Sequence, residues 1–153
     1  PTTTELDKKV VINLSKQTGI DYNDFAMKMF KAGSKIKNKS PEEILYYDYK
    51  NFSIDNKRIG IGQISTVNPT DILDDKEVYI NLLNKIENDH NYYVITLFVT
   101  DIINDCSYCL FNDKAKDILE ESFDRSFYQG ICMPDILSRK KHIILNFIGK
   151  YTT

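Results

Sequence analysis

Three consecutive cations, Arg139, Lys140 and Lys141, stand directly after Ser138 in the closing stretch "SRKKHIILNFIGKYTT". The apolar residues that follow, Ile143, Ile144, Phe147, Ile148 and Tyr151, are spaced to share one face of an α-helix, with Ser138 as the natural N-cap. Basic side chains at a helix N-terminus meet the positive end of the helix dipole, a repulsion of about 0.3–1 kcal/mol each. Two arrangements relieve it: a solvated basic turn, or a site where a bound anion supplies the missing negative charge.

Other residue types capable of chemistry give weaker patterns. "CSYC" contains Cys106 and Cys109 three apart in a strand-like stretch, where they point to opposite faces, and no second ligand pair accompanies them. With Cys132 the count is odd and no secretory leader is evident, so three thiols are expected rather than a disulfide framework. Gly60 and Gly62 in "IGIGQ" lie inside a strand, without the third glycine and following helix of a dinucleotide site; close approach of neighbouring backbone explains them. His90 reads as a structural helix-end residue, and His142 as a neighbour of the cations. Neither histidine belongs to a metal-ligand or triad pattern, so no catalytic and no metal-binding residue is assigned.

These residues need elements to position them. "TTTELDKKVVINLSKQTG" and "IDYNDFAMKMFKAG" read as two helices, the first capped by Thr4 and stopped by Gly19 and the second ending at Gly33, and the polar stretch 34–40 as a linker. Ser40 and Pro41 open a short third helix. "YKNFSID" and "RIGIGQISTV" alternate as a hairpin, "TDILDDKEVYINLLNKIEND" is an amphipathic helix, and "YYVITLFVTDI" is apolar enough for a strand covered on both faces. "CSYCLFN" pairs with it, "DKAKDILEESF" is a helix, and "SFYQGICMP" is expected as a final edge strand. The expected class is α/β or α+β: a mixed sheet of about five strands with flanking helices, preceded by a helical connector.

The chain has 153 residues, is 42% hydrophobic and carries a formal charge of −2. Ser138–Thr153 alone contributes +4, which leaves −6 for the remainder. Basicity confined to one turn suits a small anion better than a nucleic acid, which is gripped by a basic face. No apolar run approaches the length of a bilayer span, so no membrane partner is expected, and the reading is of a cytoplasmic protein.

Three blocks, "DYKNFSIDNKRIGIGQISTVNP", "VITLFVTDIINDCSYCL" and "SRKKHI", resemble in order and spacing the DHH-associated second domain of family II inorganic pyrophosphatases, over about Pro41 to Tyr151. Residues 1–33 look like the stretch joining that family's catalytic domain to this one, which divides the chain into 1–33, a linker at 34–40 and a substrate-binding domain at 41–153. The resemblance implies that Arg139 and Lys140, in the family's SRKKQ signature, bind phosphoryl groups of pyrophosphate. Lys50, in a D-x-K-x-F segment, is implied as a third ligand. His142 replaces the family's glutamine. The resemblance further implies manganese or another divalent cation held by an N-terminal DHH domain outside this chain, partnership with that domain, and a homodimer of the full-length enzyme. An exopolyphosphatase of the same superfamily and a non-catalytic phosphate-binding regulatory module are the competing readings.

Overall fold

The computed structural model describes residues 4–33, Ile36 and 38–151, in two compact units divided between Lys35 and Ile36. The linker expected over 34–40 falls partly outside the described residues.

The first unit is a helical pair, α1 (Glu5–Thr18) and α2 (Tyr22–Gly33). Thr4 and Asp7 form a capping box, with the Thr4 hydroxyl accepting from the Asp7 amide and the Asp7 carboxylate from the Thr4 amide. Gly19 ends α1 at φ 69°, where a side chain would be strained. No residue of α1 is buried, and Val11, Tyr22, Phe25 and Met29 line an apolar cleft of about 450 Å³ between the two helices.

The second unit begins with α3 (Pro41–Leu45), again closed by a capping box, between Ser40 and Glu43. It continues through β1 (Tyr49–Ile54), β2 (Lys57–Thr66), α4 (Thr70–Leu73), α5 (Lys76–His90), β3 (Val94–Asp101), β4 (Cys106–Leu110) and α6 (Asp113–Phe123). A π-helical turn, Arg139–Ile143, then runs into α7 (Ile144–Tyr151).

The sheet order is β1-β2-β3-β4, with the central β2–β3 pair parallel and both outer pairs antiparallel. Asp55 and Asn56 make the β1–β2 turn with φ of 50° and 61°, left-handed values that match the twist of a two-residue hairpin. Every residue of β3 is buried, as its unbroken apolar sequence predicts for a strand between two layers. On one face Ile59, Ile61 and Phe98 pack with Ile118 and Leu119 of α6 and Phe147 of α7; on the other, Ile64, Ile95 and Leu97 pack with Leu45, Ile72 and Leu83 of the preceding helices. Each such fully buried side chain contributes roughly 1.5–3 kcal/mol.

Three expectations are corrected. Among the described residues the sheet has four strands: the stretch expected as a fifth contributes one bridge, Ser107 to Met133, because Gly130 turns the chain at φ 79° and Pro134 has no amide to extend the ladder. The helix expected from Thr70 breaks at Asp74–Asp75, since Asp75 leaves helical geometry at ψ 22°. The break shifts the helical phase, so Tyr79 is buried and Val78 is exposed. Finally, Cys106 and Cys132 are joined in a disulfide, and only Cys109 is a free thiol.

Candidate phosphoryl-binding site

The loop after α6 arrives at Ser138, whose hydroxyl accepts from the Lys141 amide at 3.3 Å, the expected N-cap. The turn it caps is wider than the α-helix the apolar spacing predicts. The amides of both His142 and Ile143 reach the Ser138 carbonyl, at 2.7 and 3.2 Å, and that of Ile144 reaches Arg139. The widened turn accompanies a fold-back of His142: its Nδ1 accepts from the amides of Leu137 and Ser138 at 2.9 and 3.1 Å. Two donors on Nδ1 put the proton of the neutral ring on Nε2. Past the turn, Ile143 and Phe147 are buried as expected, Ile144 is half-buried and Ile148 exposed.

Gln63 holds the start of this turn against the sheet. Its Nε2 donates to Thr100 Oγ1 and to the Leu137 carbonyl, at 3.1 and 3.2 Å, while its Oε1 accepts from the Arg139 amide at 3.3 Å. One side chain thus joins β2, β3 and the basic turn. Sequence reasoning passed over it; the available signal was a single amide in the otherwise apolar, glycine-spaced run "IGIGQIST".

Arg139 is only 15% exposed and already oriented. Its Nη1 donates to the Asp48 carbonyl at 2.7 Å and its Nη2 to Asp48 Oδ1 at 2.9 Å. A guanidinium has five N–H donors, so three remain for a ligand after Asp48 has fixed its plane. Lys140 is exposed and has no side-chain partner among the described residues. Arg139, Lys140, Ser138, Gln63, Asp48 and Tyr47 together wall an open cavity of about 410 Å³. Lys50 lies outside that wall, exposed on β1 opposite Ile61 and two residues past Asp48, on the strand face shared with Phe52. The amides offer less than a bare helix start would, since Arg139 N–H goes to Gln63 and Lys141 N–H to Ser138. Binding capacity here rests on side-chain charge.

A second cleft, of about 480 Å³, lies at the opposite end of β2 and contains Lys57, Arg58 and Lys114. Its cations are engaged: Arg58 donates to the His90 carbonyl at 2.9 Å and stacks 4.1 Å over the Tyr92 ring, Lys57 lies 4.8 Å over Tyr93, and Lys114 pairs with Glu87.

No group of three or more His, Cys, Asp or Glu side chains that could hold a metal ion occurs among the described residues. The described donor set therefore does not fit a resident divalent cation. No described helix is long and apolar enough to cross a membrane.

Comparison with known proteins bears on this geometry. The DHHA2 domain family matches residues 27–145. A Clostridium acetobutylicum protein named "Probable manganese-dependent inorganic pyrophosphatase" is 36% identical over 145 residues, covering 94% of this chain and 47% of that protein. A cobalt-dependent inorganic pyrophosphatase of Clostridium perfringens is 34% identical over 145 residues, covering 94% of this chain and 26% of that protein. The crystal structure of a Methanococcus jannaschii protein described as a family II inorganic pyrophosphatase superposes with a TM-score of 0.73 at 29% identity, over 100% of this chain and 50% of that one. The chain thus spans about half the length of curated relatives it matches, or less. With its four-stranded mixed sheet and basic turn, and matched by that family's model over 27–145, this chain belongs to the DHHA2 domain family.

Proposed function

We propose that residues 41–153 are the substrate-binding domain of a metal-dependent inorganic pyrophosphatase, in which Arg139, Lys140 and Lys50 hold the phosphoryl groups of pyrophosphate while a second domain of the longer protein hydrolyses it. The observation that carries this reading is the pairing of Lys140, an ammonium without a partner among the described residues, with a guanidinium preset by Asp48 on the same open cavity. Arg139 offers a fork for two oxygens, and Lys140 and Lys50 offer point charges. Manganese or another divalent cation would be held by the DHH domain of the longer protein, where it would supply Lewis-acid activation of water. Residues 1–33 are proposed as the connector from that domain, 34–40 as the linker, and the full-length enzyme as a cytoplasmic homodimer.

The test is phosphate release from pyrophosphate by this chain and by the full-length protein, each with manganese, cobalt or magnesium. Turnover is expected from the full-length protein only. Metal-dependent hydrolysis by this chain alone, freed of contaminating enzyme, overturns the division of labour. Release from polyphosphate but not pyrophosphate by the full-length protein selects the exopolyphosphatase reading, and release from neither selects a regulatory module.

A further inference from the structure

Cys106 opens β4, and Cys132 lies in the irregular stretch between α6 and the basic turn; their Cα atoms are 5.8 Å apart across the disulfide. The next residues of both segments pair directly: Ser107 N–H donates to the Met133 carbonyl at 3.0 Å and Met133 N–H to the Ser107 carbonyl at 2.8 Å. Ser107 is itself buried, its hydroxyl 2.9 Å from Thr100 Oγ1, which in turn accepts from Gln63. From Met133 five residues lead to Ser138. In that stretch Asp135 receives both of its bonds from Arg125 Nη1 at 2.7 Å, and the Leu137 carbonyl accepts from Gln63. The disulfide is the covalent anchor to the sheet of the segment that delivers Arg139 and Lys140, next to the Ser107–Met133 pair and upstream of the Gln63 contacts to Leu137 and Arg139.

The exposure of the three sulfurs differs. Cys106 is buried and Cys132 only half-buried, so an external thiol meets Cys132 first. Cys109 is fully enclosed on the same strand, and burial pushes its thiol well above the ordinary range, which leaves it a poor internal nucleophile.

We propose that the Cys106–Cys132 pair is a redox-controlled tether: as a disulfide it fixes the segment before the basic turn, and as two thiols it lets Arg139 and Lys140 drift from their binding positions. This deepens the phosphoryl-binding reading of those cations and rests on it. The reductant is a dithiol. One of its thiolates attacks Cys132 Sγ, the S–S bond breaks, and Cys106 leaves with the bonding pair and takes up a proton. The second thiol displaces Cys132 from the mixed disulfide and closes the dithiol into its own disulfide. Two electrons and two protons pass to the protein. Charge in the cavity is unchanged, so the expected loss is in substrate positioning and affinity.

The full-length protein and its Cys132→Ser variant are equilibrated in oxidised glutathione or in reduced dithiothreitol, then assayed by mass-shift alkylation, amide hydrogen exchange over 133–141 and steady-state kinetics with pyrophosphate. Oxidation is expected to protect two thiols from alkylation and slow exchange over 133–141. Reduction is expected to raise KM by roughly tenfold with kcat within about twofold, a modest displacement effect. Cys132→Ser should match the reduced protein under both conditions. The proposal is overturned if the pair stays reduced in oxidised glutathione, if exchange over 133–141 does not respond, or if KM shifts equally in Cys132→Ser. A protein that shows the exchange response but hydrolyses no pyrophosphate in either state overturns the phosphoryl-binding reading and leaves the tether standing.

Discussion

Arg139 and Lys140 carry the same charge but are held differently, so their alanine variants separate binding from folding. Lys140 pairs with no described side chain, and Lys140→Ala in the full-length protein should leave thermal stability unchanged while lowering turnover by about a hundredfold, the loss of roughly 3 kcal/mol expected when one charge contact to a developing anion disappears. Arg139→Ala should lose as much turnover and also about 1 kcal/mol of stability, because the Asp48 carbonyl and carboxylate lose their donors. Lys141→Ala, whose side chain stands outside the cavity wall, should change neither greatly. Steady-state kinetics and melts in one buffer decide; near-normal turnover in Lys140→Ala would reduce the basic turn to a solvated one. A second residue-scale test concerns acid. Burial works against ionisation of Asp101, yet hydrogen bonds from the Asn104 side chain and from the Asn104 and Ile103 amides outweigh it and hold the carboxyl below its ordinary value. A depressed folded value means stability that is full above the unfolded value of about 3.9 and is lost as pH falls below it. Melting temperature should therefore drop below about pH 4, and Asp101→Asn should flatten that limb while lowering stability near neutrality. An identical acid limb in the variant rules Asp101 out as its source.

At the scale of elements, β2 is set by what its glycines leave room for. A Cβ built on Gly62 would lie 2.7 Å from the Leu45 carbonyl oxygen and 3.2 Å from Leu97 Cδ1, so α3 or the strand must move to admit it. Gly62→Ala is expected to destabilise the second unit by about 1–3 kcal/mol, an overpacking effect. A Cβ on Gly149, in α7, would meet no heavy atom within 4 Å, and Gly149→Ala should instead stabilise by about 0.5–1 kcal/mol through helix propensity. Chemical denaturation of both variants gives opposite signs if the packing is right. The same strand shows what was legible beforehand. Caps at Thr4, Ser40 and Ser138, the hairpin at Asp55–Asn56 and the buried run of β3 all depend on residues within a few positions of each other, and local spacing reports them. The π-helical turn, the break at Asp75, the Gln63 clamp and the Cys106–Cys132 bond do not. The disulfide joins residues 26 apart and the Gln63–Arg139 bond spans 76, and such contacts exist only once strand register is fixed. The resemblance pointed to Arg139 and Lys140 but carried no information about Asp48 as the partner that orients Arg139.

For the whole molecule, the two units differ in what holds them. The second has a covered sheet with apolar layers on both faces, whereas α1 buries no residue and Leu6, Val10, Leu14, Phe25, Met29 and Phe30 are all exposed. Apolar surface on that scale draws a helical pair toward a partner chain or leaves it opening locally. Amides of Val10–Phe30 should exchange far faster than those of Val94–Val99 in a monomeric sample at low concentration, and sedimentation should show self-association as concentration rises. Equal protection in both regions of a strict monomer contradicts this.

The ion pair between Arg139 and Asp48 joins residues 91 apart in sequence, the Arg139 amide reaches back 76 residues to Gln63, and the central parallel strands are themselves separated by the whole of α4 and α5. Contacts that close such long loops are entropically disfavoured until the intervening chain is ordered, so the cavity is completed late in folding. A ligand that needs Asp48, Gln63 and Arg139 together thus recognises only chains that have folded from the first hairpin through to α7. Under the proposed reading, pyrophosphate affinity would measure conformational completeness: a nascent or partly unfolded chain presents the same charges but no site, and a bound anion would in turn select and stabilise the finished fold.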